Sequence, residues 1–324
     1  MAVIKKTAKA LRAFARRRSS DRALFHRIRK SDNARFLRSA APGSYYSPIP
    51  DMATVRTRDA SASVGKGGIA GIRLREAEQL KVLGEVAHYY PELHFPHTPR
   101  SGYRFHFDNT FFSYGDAIVL YGLMRILTPS RIIEIGSGFS SAAMLDIDEQ
   151  YLNKQIDFVF IDPFPRRLRG LLSETDTDRV RVVQARVEDL PLEMFDELES
   201  GDILFIDSSH VAKIDSDVLH ILFRVLPRLA PGVVVHFHDI FWPFEYPRSW
   251  TEAGRAWNEA YLLRAFLQFN DDYEILLFNS FLEHLHHDQL AAVMPLAVKS
   301  PSKPLTLGNS SLWLRRTDSG RGTG

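Results

Sequence analysis

The sequence predicts an α/β fold, a mostly parallel β-sheet with helices on both faces. Short, nearly continuous apolar segments recur at 131–135, 157–161, 180–184, 203–206 and 233–238. Between them lie stretches with helical spacing. The clearest is 214–229, where Val218, Ile221, Leu222, Val225, Leu226 and Leu229 fall three and four apart. Strands that are apolar on both faces must be covered on both, and crossovers between parallel strands supply the covering helices.

In chain order, a helix is expected over 73–88. An aromatic-rich approach then leads into a second helix over 115–127. The five strands and their helices follow, and Pro231-Gly232 stops the 214–229 helix before the fifth strand. A helix over 253–268 and strands at 273–278 and 311–315 complete a seven-stranded, Rossmann-like sheet. The folded domain is placed at 71–316, with its core at 110–316 and a tail at 317–324. Residues 41–70, with Pro42, Gly43, Pro48, Pro50 and the run SASVGKGG, read as a linker.

Residues 1–40 carry 13 Lys or Arg against two acids, Asp21 and Asp32, while the rest of the 324 residues hold 28 basic and 37 acidic side chains. A basic extension therefore precedes an acidic body. Its patchy helical spacing (Leu11, Phe14, Ala15, Leu24, Phe25, Ile28) fits a solvated tail, a helix on a membrane surface, RNA or a partner, or an organelle transit peptide. Cys is absent, which removes disulfides, thiolate metal sites and a cysteine nucleophile. No apolar run reaches about 18 residues, so no membrane-spanning helix is expected, and no apolar segment marks a secretory signal. The expected location is cytoplasmic, with peripheral membrane contact through residues 1–40.

The most informative stretch is RIIEIGSGFSSAAMLD, residues 131–146. A strand runs into Gly136 and Gly138 and then into small residues that open a helix. Glycines there let the backbone approach a ligand at the carboxyl end of the sheet. A dinucleotide fingerprint would need a third Gly where Ser141 stands. An acid inside the strand, Glu134, would repel a pyrophosphate but suits an ammonium or sulfonium. Asp162 closes the next strand 24 residues after Gly138, placed to accept both hydroxyl protons of a ribose. The third strand leads into Val187, Glu188 and Asp189. The fourth ends at Asp207 in DILFIDSSH, and the fifth at His238-Asp239 in GVVVHFHDIFWP.

The pattern E-x-G-x-G-x-S, with the acids at the following strand ends, resembles motif I and its partners in class I S-adenosylmethionine (SAM)-dependent methyltransferases. The resemblance covers roughly 110–316. It is closest to small-molecule and glycan O-methyltransferases that carry I-D-x-x-H after strand four and H-D-I after strand five. It implies SAM as cofactor and methylation of a hydroxyl on a small molecule, sugar or polysaccharide precursor. The cofactor would lie on Glu134, Gly136, Ser137, Gly138 and Ser140, with its ribose at Asp162 and its adenine edge near Glu188 and Asp189. Asp207 would sit below, and Tyr114 and Asp116 would close over the methionine end.

A hydroxyl acceptor needs a base or a metal beside it. His210, three residues past strand four, is placed where metal-dependent catechol-type relatives carry a lysine base. An imidazole can serve there near neutral pH. Asp239 would orient His210 or His238. Asp207 and Asp239 are candidate ligands for a divalent metal, although Ile240 stands where those relatives carry a second oxygen ligand. His236 is read as a core histidine, Phe241–Pro247 as a wall of the acceptor site, and His284, His286 and His287 as a solvated helix face. The rival readings are a nucleotide-dependent oxidoreductase and a non-catalytic SAM-binding scaffold recruited by residues 1–40. RNA methylation ranks low, because the body is acidic and Asp207-Ser208-Ser209-His210 stands where an N-P-P-Y-like amine motif would.

Overall fold

The structure, a computed structural model, describes residues 34–57, 68–176, 178–302 and 309–318. The chain divides into two compact units, Met1–Asp59 and Ala60–Gly324. The first shows two short helices, α1 (Ala34–Ser39) and α2 (Met52–Thr57), within the region expected to be extension and linker. Asp51 caps α2 by accepting from the Ala53 and Thr54 amides and the Thr54 hydroxyl. The helical spacing between Leu11 and Ile28 lies outside the described residues.

In the second unit, α3 (Glu76–Tyr89) and α4 (Tyr114–Leu127) lead to β1 (Arg131–Ile135), α5 (Phe139–Tyr151) and β2 (Asp157–Ile161). Then come α6 (Arg166–Arg169), β3 (Val180–Val183), β4 (Ile203–Ile206), α7 (Asp217–His220) and β5 (Val234–Phe237). The last elements are α8 (Arg248–Glu252), α9 (Glu259–Leu267), β6 (Tyr273–Phe278), α10 (Asn279–Val293) and β7 (Leu312–Arg316). The strands form one sheet in the order β3-β2-β1-β4-β5-β7-β6. β7 runs antiparallel to both neighbours, and β3, β2, β1, β4 and β5 are mutually parallel.

The register positions the site. Ile135 pairs with Ile161 on one side and Ile206 on the other, and Ile206 pairs with Phe237. The residues that follow, Gly136, Asp162, Asp207 and His238, therefore emerge along one edge. Strand order reverses between β1 and its two neighbours, which opens a crevice there. Strands β1, β2, β4 and β5 are buried almost throughout, as their unbroken apolar runs require.

Two elements differ from expectation. The 214–229 helix begins at Asp217, widens into a π-helical turn at Ile221–Val225 and tightens at Leu226–Arg228, where Pro227 has no N–H to give. The expected 253–268 helix is broken at its start: 253–258 is a loop after the short α8, with Gly254 at φ +94°, and only α9 (Glu259–Leu267) is helical. That break matters, because it brings the start of α9 to the site. α4 is buried on every side from Tyr114 to Met124, so it packs as a core helix rather than an amphipathic one. The loop before it is tied to α5 by Arg104, which pairs with Asp146 at 2.7 Å and Asp176 at 2.6 Å.

Candidate active site

The turn after β1 needs glycine for two reasons. Gly136 sits at φ +84°, and a Cβ there would lie 2.0 Å from the Asp207 carbonyl oxygen. Below the turn, Glu134 is fully buried and accepts from the Ser140 and Ser141 hydroxyls. Ser141 in turn accepts from the Gly138 amide at 2.9 Å. Burial pushes the Glu134 carboxyl up to about 8, against the pull of the two serine hydroxyls. Glu134 therefore braces the turn from beneath and does not line the cavity, which corrects the expectation of a direct ligand contact. Ser140 is committed to the same brace.

A cavity of about 780 Å³ opens above the turn, lined by Gly136, Ser137, Asp162, Glu188, Asp207 and Arg167 among others. Asp162 accepts from the Ser137 amide at 3.0 Å and hydroxyl at 2.9 Å, and from the Phe164 amide at 2.6 Å. The carboxylate is thereby fixed at the crevice, with acceptor capacity left over. Glu188 pairs with Arg186 at 2.7 Å. Asp189 is exposed and does not line the cavity. Neither do Tyr114 and Asp116. Tyr114 is buried, stacked on Phe107 and 3.3 Å from His97 Nδ1. Asp116 is buried and accepts from the Ser310 and Ser311 amides and the Asn279 side chain. Both belong to the packing of a core helix, which keeps them out of the cavity wall.

At the β4–β5 edge, His210 is buried at the centre of three carboxylates. Its Nδ1 lies 2.8 Å from Glu259, and its Nε2 lies 3.3 Å from Asp207 and 3.7 Å from Asp239. Burial alone would lower its pKa, but the bonds to Asp207 and Glu259 hold it well above the ordinary value. Burial would likewise raise the Asp207 carboxyl, yet the His210 bond and nearby cations hold it below the usual range. With carboxylates at both ring nitrogens, the cluster favours the protonated imidazole. The expected pairing of His210 with Asp239 is therefore one of three carboxylate contacts, with Asp207 and Glu259 closer.

Glu259 escaped the sequence reading. It is buried at the start of α9 and also accepts from Ser208 Oγ at 2.9 Å. The α9 start clamps the loop further. The Asn258 amide donates to the His210 carbonyl, and the Asn258 side chain takes the Ala212 amide. Because Glu259 stands 49 residues from His210, no local spacing could show the pair. His210 and Asp239 both hold left-handed backbone, at φ +59° and +57°, as non-glycine residues sometimes do where a site fixes them.

His238 is buried with Nε2 3.3 Å from the Phe111 carbonyl and 3.8 Å from Asp239, while its Nδ1 has no partner among the described residues. Burial would lower its pKa, but Asp239, Asp207 and Asp116 together raise it. His236 is a core histidine, stacked 3.7 Å from Phe205 and bonded to Ser311. The Phe241–Pro247 run does not wall the cavity. Phe241 packs on Trp250 and Phe244 on Phe278, so these rings plug the core under α8 and α10. His284 and His287 are exposed on α10, and His286 pairs with Glu76 at 2.9 Å.

The side chains do not make a divalent-metal set as they stand. No group of three or more ligating side chains is arranged to hold a metal ion among the described residues. Asp207 and Asp239 instead face the cationic edge of His210, which already occupies the space between them.

The cavity does fit SAM. It is acid-rich beside a glycine turn that a Cβ would fill, and the Asp162 carboxylate lines it with acceptor capacity to spare. A family described as "Methyltransferase domain" matches residues 133–240, the span from β1 to just past β5. An uncharacterized protein of Archaeoglobus fulgidus is 32% identical over 168 residues, which are 50% of this chain and 75% of the relative. Among solved structures, the SAH-bound Podospora anserina methyltransferase PaMTH1 is 16% identical. The match covers 75% of this chain and 94% of that one, with a TM-score of 0.39. The CmcI-N160 apo-structure is 18% identical over 63% of this chain and 71% of that one, with a TM-score of 0.38. Likenesses at that level carry no weight for the chemistry. With the domain match falling on the glycine turn, the strand-end acids and the parallel half of the sheet, the chain belongs to the class I SAM-dependent methyltransferases.

Proposed function

We propose that the protein transfers the methyl group of SAM to a hydroxyl oxygen of a small molecule, sugar or polysaccharide precursor. The observation that carries this is the juxtaposition of an acid-lined cavity with a buried, three-carboxylate histidine cluster at the adjoining strand ends. Bound SAM supplies a methyl group on a cationic sulfur. Ser137, Asp162 and Glu188 hold the adenosine part, and the glycine turn lets the rest lie against the backbone.

The acceptor's O–H proton has to leave as the O–CH₃ bond forms and the S–CH₃ bond breaks. His210, held toward its protonated form by the carboxylates around it, is a poor acceptor. Asp207, held below the usual carboxylate range, is a weak acceptor. Asp239, whose side chain is 18% exposed at the end of β5, is the carboxylate we assign to receive it. His210 Nε2 and His238 Nε2 lie 3.7 Å and 3.8 Å from its two oxygens and orient the carboxylate from either side.

The test is Asp239→Asn with a panel of hydroxylated acceptors, measuring release of S-adenosylhomocysteine. Turnover is expected to fall about 100-fold or more, with affinity for S-adenosylhomocysteine nearly unchanged. SAM binding without turnover on any hydroxyl acceptor would favour the scaffold reading. Binding of NAD(H) in preference to SAM would favour the oxidoreductase.

A further inference from the structure

Arg167 occupies a position that the chemistry above leaves unused. It stands in the short helix α6, five residues past Asp162, and lines the main cavity. It also lines an adjoining one of about 520 Å³ that shares Ser137, Asp162 and Phe164 with the first. Its stem lies across the glycine turn, since a Cβ on Gly138 would be 3.0 Å from Arg167 Cδ. Its guanidinium carbon sits 3.6 Å over the Phe111 ring, and that ring is stacked on Phe139 at the start of α5. The head group is thus held flat above the turn with its N–H edges free to donate.

The charges around it are lopsided. Asp162, Glu188, Asp207, Asp215 and Asp217 all line the main cavity. Of the cations there, Arg186 is paired with Glu188 at 2.7 Å and Asp215 at 3.4 Å. Lys213 belongs to the opposite wall, in the exposed loop beside Asp215. Arg166 lines only the outer cavity. Arg167 lines both cavities and makes no ion pair within 4 Å among the described residues. SAM carries two positive groups, which this acidic wall suits, and one carboxylate, which it repels everywhere except beside a cation.

We propose that Arg167 binds the carboxylate of the cofactor's methionine moiety. This rests on the cavity being the SAM site, with the ribose at Asp162. A ligand anchored there has its amino-acid tail over the glycine turn, within reach of the Arg167 guanidinium. The planar fork can take both carboxylate oxygens at once. Phe111 serves as the shelf that keeps the guanidinium in place. Through its carbonyl bond to His238, Phe111 also links the occupied tail site to the acceptor side.

Two probes separate this role from a general effect on the pocket. S-adenosylhomocysteine carries the carboxylate, and 5′-methylthioadenosine is the same adenosine thioether without the amino acid. Calorimetric titration of the full chain and of Arg167→Gln with each ligand is the experiment. The variant is expected to bind S-adenosylhomocysteine about 10- to 100-fold more weakly, with 5′-methylthioadenosine affinity changed by less than about 2-fold. Arg167→Lys, which keeps the charge but not the fork, is expected to recover part of the loss. An equal loss for both ligands would overturn the proposal and make Arg167 a support of the pocket's shape. No loss for either would overturn it as well. Failure of the unaltered chain to bind either probe would instead bring down the cofactor placement itself, a result distinct from the other two.

Discussion

The two halves of the crevice are built in different ways. At the glycine turn the partners are near in sequence. Glu134 holds Ser140 six residues on, and Ser137 holds Asp162 twenty-five residues on. At the β4–β5 edge they are far apart. His210 meets Glu259 across 49 residues, and His238 meets the Phe111 carbonyl across 127. One half is a local motif that folds as strand, turn and helix. The other exists only once α9 and the loop before α4 have docked. The first should tolerate change poorly because its geometry is set by backbone. The second should lose function before it loses structure.

The largest effect is expected from Gly136→Ala. The methyl would enter a space 2.0 Å from a backbone oxygen, at a φ of +84°. Strain and overlap together should cost upward of about 3 kcal/mol, and S-adenosylhomocysteine affinity should fall by at least about 100-fold. Chemical denaturation and calorimetry would check both. A stable variant that still binds would show that the turn can move away from β4, and would remove the contrast drawn above.

The contrast also marks what the sequence could reveal. The glycine turn, Asp162 and Asp207 were legible because strand periodicity fixes where a strand ends, and the parallel register carries those ends to one edge. Glu134 was legible as a special acid but not in its orientation. A strand residue can point to either face, and only the packing of α5 showed that it points beneath the turn. Tyr114 and Asp116 were misplaced for a similar reason, since α4 turned out to be buried all round. Glu259 had no signal. It is an ordinary acid at a helix start, and it came to His210 because 253–258 loops where the sequence reads as helix. Long-range docking of that kind leaves no periodicity to find.

A smaller and more selective loss is expected at the distal half. Glu259→Gln keeps the shape and the hydrogen-bonding oxygen but removes the charge that holds His210 protonated and aligned between Asp207 and Asp239. Turnover should drop roughly 100-fold while S-adenosylhomocysteine affinity stays within about 2-fold. Steady-state kinetics and calorimetry on the same preparation would show the split. A matching loss of affinity would mean that the two halves are coupled more tightly than their separate construction suggests.

On turnover the smallest effect is expected from Glu134→Gln, and its effect on stability depends on pH. An unfolded chain releases the Glu134 proton near the ordinary value of 4.5, whereas burial holds the folded group up to about 8. Between those limits the folded state keeps a proton that the unfolded state has lost, so stability falls as pH rises, by up to about 1.4 kcal/mol per pH unit. Below about 4.5 both states are protonated and the carboxyl costs nothing in charge. Above about 8 the whole cost of burying the anion is present. Glutamine cannot ionise, and its amide can still serve Ser140 and Ser141. The variant should therefore be slightly less stable than the parent near pH 5, where the carboxylic acid makes the better hydrogen bonds, and should overtake it as pH approaches 8. Urea unfolding at pH 5.5 and pH 8 is enough to see the crossing. A stability difference that stays flat across that range would mean that Glu134 is ionised in the folded protein, with the charge held by the serines and the turn amides. The brace under the glycines would then be an anion facing the ligand's positive charges, as the sequence first suggested.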